Sequence, residues 1–122
     1  MVKWGVIGTG SISTAFCDSI KYSKQGKLSA VASRSSKNLK KFTDKYQVNT
    51  FDSYDALLDD SSIDAVYIGT PHNSHYELSL KTLRNGKHLL CEKPMTMNST
   101  EAMILLNEAR VNNLFFMEAF MY

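Results

Sequence analysis

Three stretches of this sequence carry residue types whose spacing suits chemistry. The first is Gly8-Thr9-Gly10-Ser11-Ile12-Ser13, directly after the apolar run Val2–Ile7. A glycine that closes a strand makes a tight turn, and a second one lets backbone approach an anion. Free N–H groups at the start of the following helix then hold that anion. A pyrophosphate fits such a cradle, which assigns Gly8, Thr9, Gly10, Ser11 and Ile12 to a dinucleotide. The third small position is Ser13 rather than glycine, still small enough for close helix–strand packing.

The second stretch is Ser33-Arg34-Ser35-Ser36-Lys37. It falls at the end of the second strand pattern, roughly 20 residues past the glycines, where an NAD site places Asp or Glu on the ribose 2′-hydroxyl. No acid is present. Hydroxyls and cations stand there instead, and an arginine fork matches a phosphate. Ser33, Arg34 and Lys37 therefore favour NADP, with NAD as the lesser possibility. The third stretch is split between Thr70-Pro71-His72-Asn73-Ser74-His75 and Cys91-Glu92-Lys93-Pro94. Each follows a short apolar run, so both lie at carboxyl ends of strands, where ligands bind in open α/β sheets.

The elements that must position these groups are legible as periodicity. Strand patterns cover Val2–Ile7, Leu28–Ser33, Val48–Phe51, Ile63–Gly69, His88–Cys91 and Leu114–Ala119. Helical spacing covers Ser11–Tyr22, with Ile12, Ala15, Phe16 and Ile20 inward, then Ser36–Tyr46, with Leu39 and Phe42 inward, and Tyr54–Asp59. A further helix starts at Ser74, which forms a capping box with Glu77 and turns Tyr76, Leu80 and Leu83 inward. Gly86 sits at its C′ position. The last helix, Glu101–Asn112, directs Ala102, Leu105, Leu106 and Ala109 to the core. Strict strand–helix alternation predicts an α/β fold with a doubly wound parallel sheet, a Rossmann nucleotide-binding domain, spanning residues 1–122.

Composition agrees. The chain has 122 residues, 43% hydrophobic and 21% charged, which suits one folded domain rather than a disordered chain. Its net charge of +2 is too small for an electrostatic footprint on nucleic acid or membrane. Two cysteines, Cys17 and Cys91, without a CxxC or a visible signal peptide, read as reduced and buried in a cytoplasmic protein. Zinc needs three or four ligands, and His72, His75, His88 and the two cysteines show no ligand spacing, so no metal is expected.

Together, Gly8-x-Gly10-x-x-Ser13, Thr70-Pro71-His72-Asn73-x-His75-x-Glu77 and Gly86-Lys87-His88-x-x-Cys91-Glu92-Lys93-Pro94 resemble the glucose–fructose oxidoreductase / inositol dehydrogenase / MocA family. The closing Met117–Tyr122 is similar to its NADP-using branch, which includes dimeric dihydrodiol dehydrogenase and D-xylose dehydrogenase. The resemblance implies a two-domain oxidoreductase, a dehydrogenase that moves hydride between a nicotinamide and a sugar, polyol or diol hydroxyl. It implies that Lys93 is catalytic, beside the nicotinamide. It also implies that Glu92 and Pro94 flank it at the cofactor, and that Thr70, Pro71, His72, Asn73 and His75 line ribose and nicotinamide. An ammonium beside an alcohol stabilises developing alkoxide, which gives Lys93 a rationale of its own. The resemblance places a substrate domain after the sixth strand. On that expectation, these residues are the cofactor half, inactive alone, with oligomerisation belonging to the second domain. Phe115, Phe116, Phe120 and Met121 are then expected to leave apolar surface exposed. Two other readings stay open: a non-catalytic NADP-binding sensor, against which the retained Lys93 argues, and a Rossmann domain for another nucleotide of the CoA type.

Overall fold

The computed structural model describes residues 1–93 and 98–119, without the side chains of His72 and Ala119. The expected alternation is present in full. In chain order the elements are β1 (Val2–Ile7), α1 (Ser11–Ile20), β2 (Gly26–Ala32), α2 (Ser36–Tyr46), β3 (Asn49–Phe51), α3 (Tyr54–Leu58), β4 (Ala65–Ile68), α4 (His75–Arg84), β5 (His88–Glu92), α5 (Ser99–Val111) and β6 (Phe116–Ala119). A single 3-10 turn, His72–Ser74, leads into α4.

The six strands form one sheet in the order β3-β2-β1-β4-β5-β6, and every adjacent pair is parallel. Both faces are covered across its centre, so β4 is apolar and buried at every position, as a two-sided parallel strand must be. On one face Val6, Val31 and Tyr67 meet Cys17, Leu39 and Phe42. On the other, Ile7, Val66, Ile68, Leu89 and Cys91 meet Leu57, Leu58, Leu78, Leu83, Leu105 and Ala109. Strand order reverses between β1 and β4, and the carboxyl ends there open a cleft.

Three helix faces differ from the periodic reading. In α1 the buried stripe is Ser13 and Cys17, while Ile12 is 37% exposed and Ala15 faces solvent. The start of α1 approaches β4 so closely that a small residue must face the sheet. In α5, Leu105 and Ala109 form the buried i, i+4 stripe. Leu106, one position on, is rotated away and 53% exposed. In α4 the fully buried positions are His75, Leu78, Ser79, Thr82 and Leu83, with Tyr76 and Leu80 packing from the flanks. Gly86 has the positive φ, +75°, of a C′ glycine, and its N–H meets the Leu83 carbonyl at 3.0 Å. Phe115 is 62% exposed, as expected near β6, but Phe116 is partly buried against the core, because its side chain faces the α5 side of the sheet, and Met117, outside that expectation, is 49% exposed. Phe120, Met121 and Tyr122 lie outside the described residues.

Candidate functional site

The cleft begins at Gly8. Its N–H bonds the Ala32 carbonyl at 2.9 Å, and its φ is +105°. A Cβ there would lie 3.0 Å from the Gly69 carbonyl and 3.1 Å from the Thr70 nitrogen. Both the turn and the neighbouring strand end thus demand glycine. Gly10 is the N-cap of α1, with extended backbone and no side-chain cap. A Cβ on Gly10 would meet nothing within 4 Å. The first turn of α1 contains no acid, so its N–H groups and helix dipole present an uncancelled positive end to the cleft. Ser13 is fully buried, and a Cβ on Gly69 would collide with its hydroxyl. Close helix–strand contact is therefore made by a serine on the helix and a glycine on the strand.

The β2 end is tied to this loop. Thr9 Oγ1 and Ser33 Oγ share a hydrogen bond of 2.9 Å, and Ser33 Oγ accepts from the Ser35 N–H at 3.1 Å. Asn38 Nδ2 donates to Thr9 Oγ1 at 3.2 Å, and Ser35 Oγ caps α2 by accepting from the Asn38 N–H at 3.3 Å. Ser33 is 5% exposed, so its hydroxyl braces the cleft wall from within. Arg34 is exposed on that wall, its guanidinium carbon 5.0 Å over the ring of Tyr54. Lys37 is exposed on α2 and is not among the residues that line the cleft. Asn38 and Tyr54 do line it, although neither is singled out by the motifs. The signal for Tyr54 was Asp52-Ser53 before it, a cap that places an aromatic ring at the first helical position.

At the β4 end, Thr70, Pro71 and Asn73 line the cleft. Ser74 Oγ donates to the Pro71 carbonyl at 2.8 Å and shares a 2.7 Å bond with Thr70 Oγ1. Ser74 has one hydroxyl proton, so Thr70 is the donor of that pair. Engaged in this way, Ser74 makes no capping bond to α4, and Glu77 instead meets Lys81 at 3.7 Å on the surface. The expected capping box is replaced by a side-chain-stapled turn. His75 is 2% exposed, and its Nε2 donates to the Thr70 carbonyl at 2.6 Å. It stands behind the cleft and holds the Thr70 turn, rather than lining the cleft itself. The His72 side chain lies outside the described residues.

At the β5 end, Glu92 is 7% exposed and hydrogen-bonds the buried Tyr67 hydroxyl. Burial first, and then the Glu92 charge and hydrogen bond, hold the Tyr67 phenol well above its usual range. Phe16 stacks on the other side of the Tyr67 ring, centroids 4.2 Å apart. Glu92 thus anchors the strand end inward, and Lys93 emerges exposed at the same sheet edge as Gly8 and Thr70. Pro94 lies outside the described residues. Cys17 and Cys91 are buried free thiols, each pushed up to about 12 by burial, and so stay protonated. Among the described residues no three His, Cys, Asp or Glu side chains are grouped to hold a metal ion, and no helix is long and apolar enough to cross a membrane.

Comparison with known proteins agrees with this geometry. A family model described as "Oxidoreductase family, NAD-binding Rossmann fold" matches residues 2–120. Trans-1,2-dihydrobenzene-1,2-diol dehydrogenase of Xenopus laevis is 38% identical over 121 residues, covering 97% of this chain and 37% of the relative. D-xylose 1-dehydrogenase (NADP(+)) of Hypocrea jecorina is 33% identical, covering 97% of this chain and 34% of the relative. The 3-ketoreductase KijD10 of Actinomadura kijaniata, solved with NADP and TDP-benzene, superposes with a TM-score of 0.92 at 34% identity over 96% of this chain and 36% of its own. The chain therefore spans roughly a third of the length of these relatives.

Proposed function

Because this chain belongs to the oxidoreductase family with the NAD-binding Rossmann fold, we propose that it is the dinucleotide-binding part of an NADP-dependent dehydrogenase. The hydride would pass between the nicotinamide and a sugar, polyol or diol hydroxyl. One observation carries the cofactor choice. Where an NAD site needs a carboxylate, Arg34 places a guanidinium on the cleft wall, over the Tyr54 ring and with no hydrogen bond or ion pair of its side chain among the described residues. A dinucleotide fits the rest of the cleft. Gly10 leaves open space where a Cβ would stand, and the uncapped start of α1 supplies N–H donors for a pyrophosphate.

Bound there, a nicotinamide supplies hydride transfer. The chain's own residues hold and aim it. Gly8, Thr9, Gly10, Ser11 and Ile12 bear the pyrophosphate, and Arg34, on the wall braced by Ser33, takes the 2′-phosphate. Thr70, Pro71 and Asn73 face the ribose and nicotinamide, on a turn fixed from behind by His75. Lys93 carries its ammonium to the carboxyl edge of β5. There it stabilises negative charge developing on the reacting oxygen and hydrogen-bonds it. Substrate contacts and any oligomer interface would belong to a second domain, for which the relatives' roughly threefold length leaves room, and the two buried free thiols suit a cytoplasmic setting.

Fluorescence titration with NADPH and NADH, for the parent chain and Arg34→Ala, tests this reading. A charge-assisted hydrogen bond is worth about 1.5–3 kcal/mol. Exposure favours the lower figure, so the parent should prefer NADPH by about tenfold, and Arg34→Ala should lose most of that preference. Equal affinity of the parent for both cofactors would overturn it.

A further inference from the structure

Arg34 has five N–H donors and no acceptor. Among the described residues none of those donors is held by a carboxylate or carbonyl, and the guanidinium instead lies over the Tyr54 ring at 5.0 Å. Carboxylates are close at hand, since Asp52 and Asp55 line the same cleft as Arg34. Asp55 is drawn off by Lys81 at 3.4 Å, whose ammonium also meets Glu77 at 3.7 Å. The ring is a firm support. Ser53 caps α3 by accepting from the Ala56 N–H at 3.1 Å, which fixes the backbone beside Tyr54. The ring itself is half-buried against the core that contains Leu57 and Leu58. It lines both the phosphate-loop side and the α3–α4 side of the cleft.

A carboxylate in this place would neutralise the guanidinium and occupy two of its donors. A ring face attracts the cation through its quadrupole and takes none of them. We infer that Tyr54 is a specificity-determining positioning residue. It holds the Arg34 guanidinium over its ring with the N–H edge open, and so sets the preference for a dinucleotide that carries a 2′-phosphate. The inference rests on the reading of Arg34 given under Proposed function and adds the device that prepares that side chain.

The test uses the dissociation constants of NADPH and NADH for the parent chain, Tyr54→Leu, Tyr54→Phe, Arg34→Ala and the double variant Arg34→Ala/Tyr54→Leu, each checked for folding by circular dichroism. The readout is the ratio Kd(NADH)/Kd(NADPH), which a general loss of stability does not move. Tyr54→Leu should lower the ratio by about two- to fivefold. Tyr54→Phe keeps the ring and should retain the ratio. In the Arg34→Ala background Tyr54→Leu should leave the ratio alone. If Tyr54→Leu does not fold, Tyr54→Met carries the same expectation. An unchanged ratio in Tyr54→Leu, beside a collapsed one in Arg34→Ala, would overturn the role of Tyr54 and leave Arg34 standing. A ratio lost equally in Tyr54→Phe would also overturn it. A parent with no preference would instead remove the cofactor reading, and this inference with it.

Discussion

Two lysines bracket β5 and do opposite things. Lys87, just before the strand, is 4% exposed, and its Nζ donates to the Asp60 carbonyl at 2.6 Å and the Ile63 carbonyl at 2.9 Å. It joins the loop before β4 to the amino end of β5. Burial lowers its pKa, and the Asp60, Asp64 and Asp59 carboxylates resist that fall. Lys93, just after the strand, is exposed at the carboxyl edge, beyond a Glu92 that is engaged with Tyr67. The contrast separates a structural lysine, with donors occupied by backbone, from an exposed one whose ammonium makes no bond among the described residues. The two ends of a parallel sheet divide the same way. At the amino end the Lys87 donors are closed on backbone carbonyls, whereas at the carboxyl end the uncapped start of α1 turns its N–H groups to a cleft.

The largest effect that sharpens the contrast is catalytic. In the proposed dehydrogenase, assayed with its substrate domain, Lys93→Ala should lower kcat by on the order of 10²–10³ while leaving NADPH affinity and Tm near the parent values. An unchanged kcat would break the comparison by removing Lys93 from the chemistry. Next is stability. Lys87→Met leaves two buried carbonyls without their donor and should cost about 1–3 kcal/mol, read as a lower urea midpoint with an unchanged NADPH/NADH ratio. The sign of its pH dependence follows from linkage. The folded pKa of Lys87 is depressed, so the folded state releases this proton first. Parent stability should therefore gain a rising contribution as pH climbs from that folded value towards the unfolded ~10.4, and Lys87→Met should lack it. The smallest effect is at the turn before Lys87. Gly86→Ala forces φ +75° on an alanine in open space, for about 1–2 kcal/mol of stability and no change in NADPH affinity. Gly8→Ala adds a clash with Gly69 to a similar strain, so it should weaken NADPH binding as well. Equal effects of the two alanines on binding would erase the difference between the sheet's ends.

Much of this was legible in the residues. Gly8 and Gly10 stood out because a tight turn and a close backbone approach have few solutions other than glycine. The missing acid at Ser33-Arg34 was equally plain, since its place is counted along the chain. The helix faces of α1 and α5 were less legible. Apolar periodicity marks a stripe about one residue wide of the mark when a small polar residue such as Ser13 must face the sheet. Ser74 misled for a similar reason: a hydroxyl three residues before Glu77 caps a helix only if no nearer partner claims it, and Pro71 and Thr70 do.

The sequence by itself therefore determined the alternation of strands and helices, the glycine turn after β1 and the charge at the end of β2. Each of these rests on backbone preferences and hydrophobic patterns that act over a few neighbouring residues. Only the tertiary structure decided which side chains brace the cleft and which face it. Ser33 and Asn38 are bound to Thr9 across 24 and 29 residues of chain. Glu92 finds Tyr67 on the adjacent strand, Tyr54 slides under Arg34 from the start of α3, and His75 turns inward to Thr70. Such partnerships depend on strand order and register, which bring together groups that no local spacing relates.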